Sequence, residues 1–256
     1  MRRLLTAVVP LALSVALILP FSPFEGVEGL VDESSVGFET GDFSEASDTQ
    51  AKPGGSLKLT GERAYEGSRS ARATWSGGPD GAQRMWRHTE WGTGSEVWYG
   101  MAVFVPATTD YCYWNPIRWD NYELYGGTDD DKPGEGDVGG LTIQEDQVSV
   151  MRNAYGGREQ TLVRGGSLPR DRWVWLEVHQ VFSPNAGQAL SELYVDGKKR
   201  GSSTEANSAG RRITDLRAGA VAISTDCASP GSIDFDRVTI SNRRTGPLPA
   251  GDRGSH

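Results

Sequence analysis

The stretch "DRWVWLEVHQVFSPNAGQALSELYVDGKK", Asp171 to Lys199, decides the fold because a strict two-residue alternation is followed by a hairpin signal. At period two, one face of the first strand carries apolar side chains that predict a buried core: Val174, Leu176, Val178 and Phe182. The opposite face carries Trp173, Trp175, Glu177 and His179. The "LYVDG" segment then predicts a tight turn between two strands.

The second face of this strand has two interpretations. Indole faces stack on sugar rings and charged side chains bind hydroxyls, so the face fits a saccharide groove in which Trp175 and His179 bind substrate. In the alternative, a loop covers the tryptophans and His179 pairs with Glu177. Four successive non-aliphatic positions fit a dry core poorly, and we therefore expect an exposed face or a groove.

Short strands with turn residues between them recur along the chain. The segments are "SARATW", "QRMWRHTEW", "EVWYGMAVFVP", "GLTIQ", "QVSVMRN", "WVWLEVHQVF", "SELYVDG", "AGAVAIS" and "SIDFDRVTI". Together with 33 glycines and no apparent long helix, they predict an all-β protein built as an antiparallel β-sandwich or jelly roll. The run from Val97 to Val105 is apolar on both faces, which predicts a central strand.

The two ends of the chain differ from its middle. Residues 1–25 contain two arginines followed by an uncharged run from Leu4 to Leu19, which predicts a signal peptide or an uncleaved N-terminal anchor. We expect a linker at 26–36, one sandwich domain at 37–243 and a disordered tail at 244–256. The protein is expected to be secreted or extracellular, with cell-surface attachment through the N-terminal segment as the alternative and as its only membrane contact.

Charge and cysteine content narrow the partners and the compartment. A net charge of -8 argues against nucleic acid, because phosphate backbones require a basic surface. The two cysteines, Cys112 and Cys227, predict a disulfide in an exported chain, whereas in a cytosolic protein they would more often be buried thiols. We expect a monomer.

Six segments carry a resemblance to a known family. They are "GFETGDFSEA" (37–46), "AYEGSRSARATW" (64–75), "SEVWYGMAVFVP" (95–106), "DRWVWLEVHQVFS" (171–183), "ELYVDGKK" (192–199) and "GSIDFDRVTI" (231–240). In this order they resemble exported polysaccharide lyases of the heparin-lyase and alginate-lyase type, which share a concanavalin A-like jelly roll. The resemblance implies β-elimination on an acidic, uronate-containing polysaccharide without an organic cofactor.

One departure from the family leaves an alternative open. Such lyases carry a glutamine-x-histidine element after the strand matching "WYGMAVFVP", whereas residues 113–125 here read "YWNPIRWDNYELY", without histidine. A jelly roll hosts enzymes and inert binding modules alike. The alternative is therefore a non-catalytic glycan-binding or cell-surface adhesion module.

Elimination on a uronate needs a group that neutralises the carboxylate, a base and an acid. Arg84, Trp86, His88 and Glu90 of "QRMWRHTEW" share one face and include such groups, although an exposed face with a surface ion pair would look the same. Arg118, Asn121 and Tyr122 lie where the family's element is expected, although a loop anchoring Trp119 in the core is equally consistent. The predicted catalytic residues are Arg84, His88, Arg118 and Tyr122, and the predicted substrate-binding residues are Trp86, Glu90, Asn121, Arg152, Tyr155, Trp175 and His179.

A structural calcium site is a separate expectation. In jelly-roll glycan modules a calcium ion often joins the "FExG" of the first strand to the "DxV" of the last, using hard oxygen ligands. The matching acids are Glu39 in "FETG" and Asp236 in "FDRV". In the alternative, both acids only cap turns.

Overall fold

The structure is a computed structural model that describes residues 33–77, 83–110, 113–120, 137–154, 158–208, 213–221 and 229–253. Within these ranges the chain forms fifteen strands: β1 (Glu33–Val36), β2 (Asp48–Ala51), β3 (Gly55–Thr60), β4 (Ser70–Trp75), β5 (Gln83–Trp91), β6 (Glu96–Phe104), β7 (Trp114–Asp120), β8 (Asp137–Gln144), β9 (Gln147–Ala154), β10 (Arg158–Ser167), β11 (Trp173–Val181), β12 (Leu190–Val195), β13 (Lys198–Ser203), β14 (Ile213–Ala220) and β15 (Gly231–Ser241). In the described ranges no helix is long and apolar enough to cross a bilayer.

The strands form two antiparallel sheets, as expected for a jelly-roll sandwich. Sheet A has the order β13-β12-β11-β6-β15-β4-β3, and β1 pairs with β15. Sheet B has the order β10-β9-β8-β7-β14-β5-β2. The "DG" signal after β12 marks a hairpin, in which Asp196 and Gly197 both adopt positive φ before β13 begins.

The core lies between the two sheets and follows the predicted alternation. Val174, Leu176 and Val178 of β11 are buried in it. As predicted, the apolar segment from Val97 contributes a central strand, since β6 pairs with β11 on one side and β15 on the other. The ring of Tyr99 from β6 stacks on Trp119 of sheet B, with ring centroids 5.2 Å apart.

The described boundaries differ from those expected at both ends. Glu33–Val36, placed in the linker by the sequence, forms β1, because its backbone pairs with Val238–Ser241 on the side of β15 opposite β6. At the other end, residues 244–253 were expected to be disordered. They instead cross the outer face of sheet A, and we call this segment the strap.

The strap is fixed by one buried carboxylate. Glu177 accepts hydrogen bonds from Nε of Arg244 at 3.0 Å, the amide of Thr245 at 3.1 Å and the amide of Gly246 at 2.8 Å. Further along, the amide of Leu248 donates to the hydroxyl of Tyr65 at 2.9 Å. Because a fully buried carboxylate must be compensated, the strap is part of the folded domain.

The two tryptophans on the second face of β11, Trp173 and Trp175, lie in an aromatic cluster on the outer side of sheet A, separate from the core between the sheets. Tyr65 stacks on Trp175 with centroids 5.9 Å apart, and the guanidinium of Arg237 lies 4.9 Å from the Trp175 ring. A side chain at Gly100 would place its Cβ 2.3 Å from Trp175, so this glycine lets the indole lie across β6. The expectation of an exposed face is wrong here, since Trp173, Trp175 and Glu177 are all buried.

Candidate functional site

His179 lies on the same covered side and does not line a groove. Its Nδ1 is 2.9 Å from Glu192 and its Nε2 is 2.8 Å from Glu96, and its ring stacks on Trp98 at 4.0 Å. Burial raises the pKa of Glu192, but hydrogen bonds from Lys199, His179 and Tyr194 outweigh it and lower the pKa to about 2. Both ring nitrogens of His179 therefore have carboxylate partners, Glu192 and Glu96. Neither partner is Glu177, the residue that the alternative interpretation pairs with His179.

The outer face of sheet B has a different character. Arg118 of β7 pairs with Arg217 of β14, which pairs with position 86 of β5. The next row pairs Asp120, Asp215 and position 88, and position 84 pairs with Gly219. Since cross-strand partners share a face, the backbone places the predicted positions on β5 beside these charged residues.

A buried carboxylate joins the two arginines. Nε of Arg217 lies 3.1 Å from Oδ2 of Asp120, at an angle outside that of a hydrogen bond, and Nη2 of Arg118 lies 3.7 Å from Oδ1. Asp120 is fully buried, the Arg217 side chain is 3% exposed and that of Arg118 is 12% exposed. Arg118 is thus the member of this group most accessible to a ligand.

The row that contains Arg118 continues across the rest of the sheet. On the other side of β7, Arg118 pairs with Gly140, Gly140 with Met151 and Met151 with Thr161. A Cβ at Gly140 would lie 2.6 Å from the Ile117 carbonyl oxygen and 3.0 Å from Cγ of Arg118. A glycine is therefore required beside Arg118, and it leaves a depression in the row.

A polar cluster lies beside this row. The amide of Asn115 donates to Oγ1 of Thr142 at 2.9 Å and to the Leu141 carbonyl at 3.0 Å. The hydroxyl of Tyr113 donates to the Glu159 carboxylate and also hydrogen-bonds with Thr142 and Asn115. Burial, together with the negative charge of Glu159, raises the pKa of Tyr113 well above its usual value.

Arg152 is predicted to bind substrate, but it faces away from this row. It pairs with Gly139 and Gln160, which alternate with the residues of the Arg118 row. Its Nε donates to Oε1 of Gln160 at 2.9 Å, and its Nη1 donates to the Ala206 carbonyl. Its guanidinium therefore ties the end of sheet B to the segment after β13, away from the Arg118 row, and its binding role stays a prediction.

Several predicted residues lie outside the described part of the chain. For Arg84, Trp86, His88 and Glu90 only the backbone is described. Asn121, Tyr122, Tyr155, Cys112 and Cys227 fall in ranges that are not described at all, as does the N-terminal segment 1–25. The proposed roles of all these residues stay predictions.

The two acids predicted to bind calcium hold a loop instead. Glu39 accepts hydrogen bonds from the amides of Ser68 and Arg69 at 3.0 and 2.8 Å and from the Ser68 hydroxyl at 2.9 Å. Asp236 accepts from the amides of Tyr65, Glu66 and Arg237 at 2.8, 3.0 and 2.7 Å.

This arrangement does not fit a calcium ion. Each oxygen of the two carboxylates already faces an N–H or O–H donor, and a cation repels the positive ends of such donors. Among the described residues there is also no group of three or more acidic, histidine or cysteine side chains that could hold a metal. The capping interpretation of Glu39 and Asp236 agrees better with these contacts.

Sequence reasoning missed Arg217, Asp120, Asp215 and the Tyr113 cluster. In the segment that contains Arg217 the sequence pattern predicts a strand only from Ala218 onward, and around Arg118 a loop that anchors Trp119 is one of the two interpretations the pattern allows. Tyr113 and Asn115 alternate around the buried Trp114, and this period-two signal points to a shared face.

Comparison with known proteins identifies the family. The model of the family described as polysaccharide lyase matches residues 38–221, which is most of the chain. The chain belongs to the polysaccharide lyase family. The matched range of this polysaccharide lyase family member includes Arg118, Arg217 and the Tyr113 cluster. No curated protein matches the chain in sequence.

Solved structures agree with the fold of a polysaccharide lyase. The endo-β-1,4-glucuronan lyase from the fungus Trichoderma reesei superimposes with a TM-score of 0.62 at 12% identity, covering 88% of this chain and 98% of that one. The cellulose-induced protein Cip1 gives 0.57 at 19% identity, covering 83% and 98%. The alginate lyase vAL-1 from Chlorella virus gives 0.51 at 13% identity, covering 73% and 93%.

Proposed function

We propose that the protein cleaves an acidic, uronate-containing polysaccharide by β-elimination on the outer face of sheet B. Membership of the polysaccharide lyase family supports the reaction class. The observation that carries the proposal is the row in which Arg118 and Arg217 pair beside the buried Asp120. The similar folds of a glucuronan lyase and an alginate lyase support an acidic polymer as the substrate class.

The chemistry begins at the uronate carboxylate. Arg118 binds it and neutralises its charge, which makes the adjacent C5–H bond acidic. Asp120 and Arg217 hold the Arg118 guanidinium in position. Arg84, whose position pairs with Gly219, is proposed as a second cation for the same carboxylate.

The proton at C5 then passes to a base, and the electron pair of the C–H bond forms the C4–C5 double bond as the C4–O bond breaks. The departing oxygen takes a proton, which Tyr122 is proposed to supply. We assign the base to His88, because its position pairs with Asp215 and a carboxylate beside an imidazole supports proton uptake. Trp86 and Glu90, on the same strand, are proposed to seat the sugar ring.

Purified protein incubated with a panel of uronate polymers tests this function. A rise in ultraviolet absorbance reports the new double bond, and Arg118→Ala is expected to lower it by a factor of 10² to 10³. Arg200→Ala is the matched control, since Arg200 is an exposed arginine of sheet A. Constant absorbance with every polymer, in folded protein, would contradict the lyase proposal.

The alternative function is a non-catalytic glycan-binding module with the same row as its binding surface. A guanidinium such as that of Arg118, the more exposed of the two arginines, can bind an anionic polymer whether or not a bond is broken. Binding of a uronate polymer without double-bond formation, lost in Arg118→Ala, would favour this alternative.

We further propose that the protein acts outside the cell as a monomer, exported by residues 1–25. The two arginines and the uncharged run that follows them support export. Sequencing the N-terminus of protein recovered from the medium tests it, because cleavage after the apolar run is expected and cell-bound protein that retains Met1 would indicate an anchor.

A further inference from the structure

A cavity at the edge of sheet A takes no part in the proposed reaction. It has a volume of about 340 Å³ and lies where β3 ends and β4 begins. Because β3 is the last strand of sheet A and Arg118 lies in sheet B, the cavity is separate from the Arg118 row. A volume of this size holds a small ligand such as a sugar unit. The cavity is lined by Leu59, Thr60, Gly61, Ser68 and Arg69.

Arg69 is the charged residue of this cavity. Its side chain is exposed, and among the residues that the structure describes its guanidinium has neither a hydrogen-bond nor an ion-pair partner. The neighbouring carboxylates have other partners, since Glu39 accepts from Ser68 and from the Arg69 backbone amide. Glu62 pairs with Arg72 at 2.8 Å. The Arg69 guanidinium is therefore available to an anionic ligand, and its planar donors match a carboxylate.

The wall that carries Arg69 is held in place by the fold. Oε1 of Glu39 accepts the amides of Ser68 and Arg69 at 3.0 and 2.8 Å. A Cβ at Gly67, which has a φ of +63°, would lie 2.4 Å from Cδ of Glu39, so a glycine is required where the chain turns around this carboxylate. A Cβ at Gly41 would lie 3.3 Å from Nη1 of Arg69, so the guanidinium lies close to the Gly41 backbone. Because this wall is already ordered, a ligand pays little ordering entropy on binding.

We propose that this cavity is a non-catalytic binding site for a uronate sugar, with Arg69 bound to the sugar carboxylate. The Thr60 hydroxyl accepts the Glu62 amide at 3.1 Å, so its own proton can be donated to a sugar oxygen. Leu59 is half-buried and provides apolar surface for the C–H groups of the ring. The choice of a uronate rests on the proposed function, whereas the cavity and its guanidinium do not. Such a site holds a second stretch of the acidic polymer away from the row where it is cleaved.

NMR spectroscopy of ¹⁵N-labelled protein locates the binding. The probe is methyl β-D-glucuronide, which carries no sugar at C4 and is therefore not a substrate of the proposed elimination. It is expected to bind with a Kd on the order of 1 mM and to shift the amide signals of Gly61, Ser68 and Arg69. Methyl β-D-glucoside, which lacks the carboxylate, and acetate, which lacks the ring, are each expected to bind at least about tenfold more weakly.

Variants assign the binding to Arg69. Arg69→Ala is expected to weaken glucuronide binding by a factor of about 10 to 100, because a hydrogen bond between charged groups is lost. The backbone amide that caps Glu39 remains in this variant, and if it folds poorly the wild-type shifts still locate the site. Arg200→Ala is the matched control, since Arg200 is an exposed arginine at the opposite edge of sheet A and its loss should leave the Kd unchanged. The shifts at Gly61 and Arg69 should also persist in Arg118→Ala.

The outcomes separate this inference from the proposed cleavage. Equal binding of the glucuronide and the glucoside, or unchanged binding in Arg69→Ala, would overturn the role of Arg69. Equal binding of acetate would overturn the sugar as the ligand class. Wild-type protein without shifts at Gly61, Ser68 and Arg69 would overturn the site and leave the proposed cleavage at Arg118 intact. Shifts at this cavity in a protein that forms no double bond from any polymer would support the site and contradict only the cleavage.

Discussion

Individual charges on sheet B have separable roles. Arg217 is almost fully buried against Asp120, whereas Arg118 contacts the same carboxylate from a more exposed position. Removing one partner of a buried ion pair leaves an uncompensated charge, whereas removing a partly exposed one costs little. The two arginines therefore differ in what they contribute to stability and to substrate binding.

Replacement of each arginine by alanine tests this difference. Arg217→Ala is expected to lower the free energy of unfolding by about 3–5 kcal/mol. Arg118→Ala is expected to lower it by less than about 1 kcal/mol while lowering cleavage by a factor of about 10² to 10³. Urea unfolding measured beside kcat/KM distinguishes the two effects. A large stability loss in Arg118→Ala with unchanged activity would contradict this assignment.

The buried Asp236 gives the protein a pH dependence. Burial raises the pKa of Asp236 to about 7, although hydrogen bonds from the amides of Glu66, Tyr65 and Arg237 oppose the change. Since the folded pKa lies above the unfolded value, the stabilising contribution is complete below about pH 4 and is lost as the pH rises through about 7. The free energy of unfolding is expected to fall by a few kcal/mol, on the order of 2–4, between pH 5 and pH 8.

Denaturant titrations at several pH values measure this change. Asp236→Asn should show a flatter profile over the same range, because the amide does not titrate. Asp110→Asn is the control, since Asp110 is exposed. Parallel profiles for the wild type and Asp236→Asn would show that another group carries the dependence.

Among the elements, the strap closes the outer face of sheet A. Truncation after Arg243 removes every strap donor to Glu177 and uncovers the hydroxyl of Tyr65. We expect a loss of at least about 3 kcal/mol in the free energy of unfolding, since a buried carboxylate then lacks its partners. The measurements are urea unfolding and tryptophan emission, which should shift to longer wavelength as Trp175 meets water.

The same truncation should spare cleavage by the protein that remains folded, because the strap and the Arg118 row lie on different sheets. Lost cleavage in folded, truncated protein would indicate coupling between the sheets. An unchanged unfolding midpoint would show that the strap does not stabilise the domain.

The loop at residues 63–69 tests the calcium hypothesis. Its backbone amides occupy Glu39 and Asp236, so a chelator is expected to leave Tm unchanged and added calcium to give no increase. Differential scanning calorimetry with and without chelator checks this. A Tm that rises steadily with calcium concentration would restore the metal site.

Strands whose own residues show a clear apolar and turn pattern were predictable from sequence. Strands that form because a neighbouring strand pairs with them were not. The bounds of β4 and β5 coincide with the predicted segments. β13, "KKRGSS", is a polar edge strand that gains its structure from pairing with β12. β7 was missed because Pro116 interrupts its pattern at a register irregularity.

The candidate site was harder to predict for a related reason. Arg118 and Arg217 are far apart in sequence, and only the pairing of β7 with β14 brings them together. The second face of β11 resembled a groove because Trp175 and Glu177 are unusual in a dry core. Their partners, Tyr65 and Gly246, come from distant segments that no local pattern connects to them.

At the scale of the molecule, the pairing of β7 with β14 also bears on the predicted disulfide. The amide of Val221 donates to the Asn115 carbonyl at 2.9 Å, so the segments that lead to the two cysteines are joined three residues from Cys112 and six residues from Cys227. We expect a single disulfide between the cysteines, with removal costing about 2–4 kcal/mol. Non-reducing mass spectrometry checks the bond, and two free thiols in folded protein would contradict it.

The positions of the last two strands in the sheet orders have a consequence for synthesis. β14 lies between β7 and β5, and β15 lies between β6 and β4, so both sheets are divided until these two strands are available. A nascent chain that lacks these strands holds four partial sheets, two from each sheet, and their unpaired edges are prone to aggregation. The two sheets can therefore be completed only after β15 has been synthesised, and a chaperone that shields those edges would have to remain bound until then.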